Sequence, residues 1–153
     1  MPDLIASPEH AATLATLRTF VQPWRKLTVA VDGRDHAGKS SLARYLSWQL
    51  QMPCIETDFC LRKDGEQPCW DTDLLKRLVE HRHELNRPVI VEGVFVLRNL
   101  RTLGIEPDYV VHVRNPNHSG SDIWQAAFTA YESEHYPRGS NTLSIVTPVA
   151  DGI

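Results

Sequence analysis

Residues 33–40 read G-R-D-H-A-G-K-S and satisfy the pattern G-x-x-x-x-G-K-[ST] at every fixed position. That spacing suits a polyphosphate. Backbone N–H groups from Gly33 through Arg34, Asp35, His36, Ala37, Gly38, Lys39 and Ser40 to Ser41 can wrap phosphate oxygens. A helix that begins where the loop ends aims its partly positive N-terminus at the same charge. In this pattern the lysine, here Lys39, reaches the β- and γ-phosphates, and the Ser40 hydroxyl is a ligand for Mg2+. The loop predicts a nucleoside triphosphate site.

A nucleotide site names no reaction, so the other chemically able residues carry the next step. Asp58 follows the short run Pro53-Cys-Ile-Glu56. A carboxylate just past a strand end can take the proton of an attacking hydroxyl or hold a metal-bound water. Glu56 is its rival, closer to the strand body. Val89-Ile-Val-Glu92-Gly93 is an apolar run closed by an acid, the form of a Walker B element, and Glu92 is the expected second metal ligand; Asp32, directly before Gly33, competes for that role. Phosphoryl transfer also needs cations over the migrating group. Arg114 and Arg138 are the candidates, with Arg138 placed in the catalytic set beside Lys39 and Asp58, and the Arg34 side chain is expected to face solvent. His36 is large for a loop position but needs no catalytic role to be there. Trp124, Phe128 and Tyr131 recur at helical spacing and, with His135 and Tyr136, read as core rather than as a platform for a base.

The elements that must position these groups alternate. Ser7 and Pro8 start a helix whose Ala11, Leu14, Leu17, Val21 and Trp24 recur at three- and four-residue steps, and Pro23 should end or bend it. A strand at 27–32 feeds the glycine loop, a helix follows at about 39–51, and a second strand at 53–56 empties into Thr57-Asp58-Phe59. Residues 60–70, with Gly65 and Pro68, look irregular. Asp71 caps a helix to about Asn86, with Arg82, His83 and Arg87 at its end, as the helix dipole favours. Pro88–Val91 is a fully apolar strand, a helix is expected at 95–103, and Tyr109–Val113 is another buried strand. After a turn-rich stretch a helix runs from about Ser121 to Glu134, Pro137-Arg138-Gly139 breaks it, and Leu143–Val146 is a last short strand. The fold class is therefore α/β, helices flanking a central parallel sheet with right-handed crossovers.

The 153 residues, 42% of them hydrophobic, predict one domain spanning 1–153. A net charge of −3 argues against a nucleic-acid partner, which calls for a basic face. No apolar run approaches the roughly 18–20 residues that span a bilayer, and Met-Pro-Asp opens no secretion signal. Cys54, Cys60 and Cys69 form no C-x-x-C pair and suit reduced thiols, so a cytoplasmic location is expected.

V-A-V-D-G-R-D-H-A-G-K-S-S-L-A at 29–43, T-D-F at 57–59 and V-I-V-E-G-V-F at 89–95 together resemble the small P-loop kinases of the uridine kinase type. The resemblance covers roughly the first 115 residues. It implies a three-layer P-loop NTPase fold whose sheet of about five strands has the order 2-3-1-4-5. It implies that Gly33–Ser41 binds the phosphates of ATP with Mg2+, that Asp58 is the acceptor-side aspartate, and that Glu92 lies close to metal or acceptor. Members of that family carry an arginine-rich lid after the fourth strand. Here residues 115–139, the candidate lid, hold one arginine, Arg138.

Three function classes compete. A Mg-ATP-dependent kinase acting on a hydroxyl of a small molecule, a nucleoside or related metabolite, uses every candidate named. A regulatory GTPase needs a guanine-reading N-K-x-D string, which is missing. A P-loop ATPase or nucleotide-binding module without a small acceptor explains the loop and Glu92 but has no task for Asp58. The kinase is the expected class, its acceptor pocket built from the 60–70 stretch and the late helix.

Overall fold

A computed structural model describes residues 7–62 and 69–146. Pro8–Arg18 (α1) is followed by Thr28–Gly33 (β1), Lys39–Leu50 (α2) and Cys54–Glu56 (β2). A 3-10 turn at Thr57–Cys60 leads into a two-stranded hairpin, Leu61–Arg62 (β3) and Cys69–Trp70 (β4). Thr72–Glu84 (α3), Val89–Gly93 (β5), Val96–Thr102 (α4), Tyr109–Arg114 (β6), Gln125–His135 (α5) and Thr142–Val146 (β7) complete the chain.

The main sheet has the order β2-β5-β1-β6-β7, and every neighbouring pair is parallel. With the hairpin set aside, that is the order 2-3-1-4-5. β1 and β5 are buried at every position, as expected of central strands covered on both faces. Alternation along β1 divides the core. Val29 and Val31 pack with Leu14 and Leu17 of α1 and Leu42 and Leu46 of α2. Ala30 faces the other layer, with Leu75 and Val79 of α3, Leu97 and Leu100 of α4, and Phe128 and Tyr131 of α5. Asp32, in phase with Ala30, therefore ends up on the α5 side of the sheet.

Helix starts follow local chemistry. The Ser7 hydroxyl accepts from His10 N at 3.2 Å, and the Asp71 carboxylate from Leu74 N at 3.0 Å. By contrast, α2 begins after Gly38 at φ 90°, with no side-chain cap and no acid in its first turn. Nothing on the helix itself offsets the positive end that faces the loop.

Several boundaries differ from the sequence reading. α1 stops at Arg18, before Pro23; Thr13 rather than Ala11 is buried, and Trp24 is 66% exposed with the Arg87 guanidinium 3.5 Å from its ring centre. Within the 60–70 stretch, expected irregular, Leu61–Arg62 pairs with Cys69–Trp70, while 63–68, with Gly65 and Pro68, lie outside the described residues. The late helix starts at Gln125, after a 3-10 turn at Asp122–Trp124. Cys54, Cys60 and Cys69 form no disulfide. Among the described residues no helix is long and apolar enough to cross a membrane.

Candidate functional site

Parallel strands deliver their C-terminal ends to one edge, where the loop, Asp58 and Glu92 converge. A cleft of about 360 Å3 there is lined by the polar Asp35, His36, Lys39, Ser40, Asp58 and Glu92 together with Leu61, Trp70, Gly93, Val94 and Trp124. Lys39, Ser40, Asp58 and Glu92 are thus brought together, although 53 positions separate the first from the last.

Two close approaches make this possible. A Cβ on Gly33 would overlap the Val113 carbonyl, so glycine lets the start of the loop press against β6. A Cβ on Gly93 would overlap the Thr57 hydroxyl, so glycine lets the turn that carries Asp58 close onto the end of β5. Glu56 does not compete for the cleft, since its Oε1 accepts from Arg44 Nε at 2.6 Å.

The Lys39 side chain is buried, and its Nζ donates to the Arg34 carbonyl at 2.7 Å. Burial lowers its pKa, opposed by the negative charge of Glu92, Asp32, Asp58 and Asp35. Ser40 Oγ donates to Glu92 Oε1 at 3.1 Å, and Glu92 Oε2 is buried with no hydrogen-bond partner. Burial raises the Glu92 pKa, opposed by Lys39 and by the Ser40 hydrogen bond. A hydroxyl and a carboxylate with an oxygen to spare make a hard donor pair that fits Mg2+, an ion that takes one or two protein oxygens and completes its shell with water and phosphate. No group of three or more His, Cys, Asp or Glu side chains suited to a metal occurs among the described residues.

Three side chains of the loop, those of Arg34, Asp35 and His36, engage the 115–139 segment. Arg34, expected to face solvent, instead pairs with Glu132 through Nε at 2.7 Å and Nη2 at 2.8 Å, and its Nη1 donates to Gln125 Oε1 and the Ser119 carbonyl. Asp35 accepts from Ser121 N at 2.9 Å and from the Ser121 hydroxyl. Gly120, at φ 87°, gives it room, because a Cβ there would lie 2.6 Å from Asp35 Oδ1. His36, at φ 60°, packs against His118 with the rings tilted by 37° and their centres 4.6 Å apart, and its carbonyl accepts from Asn115 Nδ2 at 3.0 Å. Arg34 is thus held away from the cleft, and the 115–139 segment is tied to the loop at several points.

Asp32 does not line the cleft and belongs to that tie. Its Oδ2 accepts from Tyr136 at 2.6 Å and from Tyr131 at 3.0 Å, while Tyr131 in turn accepts from Leu97 N at 3.0 Å. Complete burial raises its pKa from the usual 3.8 to about 6 against those hydrogen bonds. Tyr131 and Phe128 are core, as expected; Trp124 packs against Phe128 yet also walls the cleft.

Arg138, expected over the phosphates, is held elsewhere. Its Nη2 donates to Glu106 Oε1 at 2.6 Å, and it lines a separate hollow along β6 and β7 with His112, Tyr136 and Thr142. Glu106 precedes β6, at the opposite end of the strand from Arg114, so the pairing draws the guanidinium away from the loop edge. Arg114 lines that hollow and another beside the loop, not the cleft. Sequence reasoning missed Trp70 and Leu61 as individual site residues. An alternation of Leu61 with Arg62 and of Cys69 with Trp70 was the available signal, too short to recognise.

No protein-family model matches the chain, and no curated protein does. Among solved structures, a possible uridine kinase from Bacillus stearothermophilus superposes with a TM-score of 0.59 at 18% identity, covering 88% of this chain and 97% of that one. A sugar kinase from Janibacter sp. HTCC2649 superposes with a TM-score of 0.53 at 17% identity over 82% and 86% of the two chains. At such identities the likeness is one of architecture alone: a five-stranded parallel sheet in the order 2-3-1-4-5 between two layers of helices.

Proposed function

We propose that the chain is a Mg-ATP-dependent phosphotransferase that acts on a hydroxyl group of a small molecule. The observation that carries this reading is the convergence in one cleft of a phosphate-binding loop, the Ser40–Glu92 pair and a separate carboxylate, Asp58, contributed by the turn after β2. Asp58 supplies the base that a hydroxyl acceptor requires.

In this reading the loop amides and the start of α2 hold the phosphates of ATP, and Lys39 exchanges its hydrogen bond to the Arg34 carbonyl for the β- and γ-phosphates. Ser40 and Glu92 hold Mg2+, which offsets charge on the phosphate oxygens when bound. Asp58 orients the acceptor hydroxyl and takes its proton as the oxygen–phosphorus bond forms and the bond to the β-phosphate oxygen breaks, releasing ADP. The protein contributes position and charge rather than covalent chemistry.

The test is ADP release from Mg-ATP by the full chain, with and without pooled nucleosides, sugars and small alcohols, using Lys39→Ala as the blank. A pool-dependent signal absent from the blank is expected. A signal indifferent to every pool would replace the transferase with an ATPase.

A further inference from the structure

A second hollow, of about 430 Å3, lies along β6 and β7 and shares no lining residue with the cleft. Its size falls within the roughly 300–1,000 Å3 of small-molecule sites. Strand alternation builds its floor. Leu143 and Ile145 of β7 pack toward α1 and α2, so Thr142 and Ser144 turn to the opposite face. Ser144 lies in register with His112 of β6, and Arg114, two residues further along β6, stands on the same face. The chain leaving α5 supplies the wall, Tyr136-Pro137-Arg138. That wall is held in place: Tyr136 stacks on His112 with ring centres 4.1 Å apart, and its hydroxyl donates to Asp32 at 2.6 Å.

Two polar groups of the lining are left over. Among the described residues, Arg138 Nε and Thr142 Oγ1 are buried without a hydrogen-bond partner. Each can donate, and a buried donor with nothing to meet is costly and rare. Arg138 is the more telling of the two. Its side chain is only 17% exposed, and its ion pair with Glu106 engages Nη2 and leaves Nε unused. A second guanidinium, that of Arg114, and the Ser144 hydroxyl share the hollow. Two carboxylates act on these arginines from outside it. Glu106 holds Arg138, and Glu132 lies with Arg114 in the neighbouring hollow but accepts both of its short hydrogen bonds from Arg34. Guanidinium forks and hydroxyl donors gathered on one surface match the charged oxygens of a phosphate or carboxylate.

We propose that this hollow binds the oxyanion group, phosphate or carboxylate, of a small metabolite, with Arg138 Nε, Arg114 and the Thr142 hydroxyl donating to its oxygens. The site stands apart from the nucleotide cleft and does not depend on the phosphotransferase reading.

The test watches the arginine itself. Nε–Hε and backbone amide resonances of the full, isotope-labelled chain are recorded by NMR while inorganic phosphate, succinate or sodium chloride is added at matched ionic strength. Arg138→Lys and Arg114→Lys assign the side-chain signals. The expected result is a saturable shift of the Arg138 signal and of the Thr142 and Ser144 amides with phosphate or succinate, and none with chloride; which of the two acts names the oxyanion. Thr142→Val keeps the shape, removes the donor and should weaken binding about tenfold. Glu106→Gln releases Arg138 from its ion pair and should tighten binding about threefold. Shifts that stay linear as with chloride, that are confined to the amides of residues 33–41, or whose affinity ignores Thr142→Val overturn the proposal. An Arg138 signal that responds to Asp151→Asn but to no added anion also overturns it, by assigning the hollow to the chain's own carboxylate.

Discussion

The Thr57 hydroxyl fills the space that a side chain on Gly93 would need, and this contact seats the end of β2 against the end of β5. Gly93→Ala would force the two apart and lift Asp58 away from Glu92. Overpacking of this kind costs about 1–3 kcal/mol, so the denaturant midpoint should fall, and acceptor-dependent turnover should fall further than ATP affinity. Adding Thr57→Ala makes room and should return part of the stability. Unfolding curves of the single and double variants check this.

Asp58 stands outside the loop, and its loss should separate chemistry from donor binding. Asp58→Asn keeps the shape and removes the base, so acceptor-dependent turnover should drop about 10²–10⁴-fold with the ATP dissociation constant nearly unchanged. Titration with a fluorescent ATP analogue beside the turnover assay checks this; lost nucleotide binding would move Asp58 to the donor side.

The buried Asp32 carboxyl makes stability depend on pH in an unusual direction for an acid. Its folded pKa of about 6 lies above the ordinary 3.8, so between those values the folded state holds more proton than the unfolded chain. Stability from this group is therefore greatest below pH 3.8 and falls as pH rises toward 6, by an amount on the order of 3 kcal/mol. Asp32→Asn can still accept from Tyr131 and Tyr136 but cannot ionise. Urea unfolding at pH 4.5 and 7.5 should show a stability difference between wild type and variant that moves in the variant's favour at the higher pH.

Arg34 and Glu132 join the loop to α5 through two parallel hydrogen bonds, with side chains 25% and 30% exposed. A double-mutant cycle with Arg34→Ala and Glu132→Ala should give a coupling of about 1 kcal/mol. The hydrogen bond from Arg34 holds the Glu132 pKa below its usual 4.5, so the coupling should persist at pH 5 and fade only as the pH falls through that lowered value. Unfolding free energies of the four proteins at pH 7, pH 5 and pH 3 check both statements.

What the sequence discloses depends on how local the cause is. Leu27–Val31, Pro88–Val91 and Tyr109–Val113 are legible as strands because burial on both faces leaves a β-branched, mainly apolar run, broken only by Thr28 and His112. The loop is legible because its function fixes its glycines. The partners of the arginines are not, because Arg34 finds Glu132 98 positions away and Arg138 finds Glu106 32 positions back, and neither spacing leaves a pattern. Trp24 kept the helical period yet lies on Arg87, since α1 had already ended. The hairpin bearing Leu61 and Trp70 is two residues per strand, too short for alternation to stand out.

All the parallel strands point toward the cleft, and their starting ends are fastened by other means: Asp108 accepts from Thr28 N at 2.8 Å, and the Thr28 hydroxyl meets His83 Nε2 at 3.0 Å. The molecule therefore has a working rim and a holding rim, separated by the length of its strands. A dye or tether attached near Glu106 or Asp108 would report unfolding from the holding rim while turnover is read at the other, so the two properties can be followed at once in a single sample.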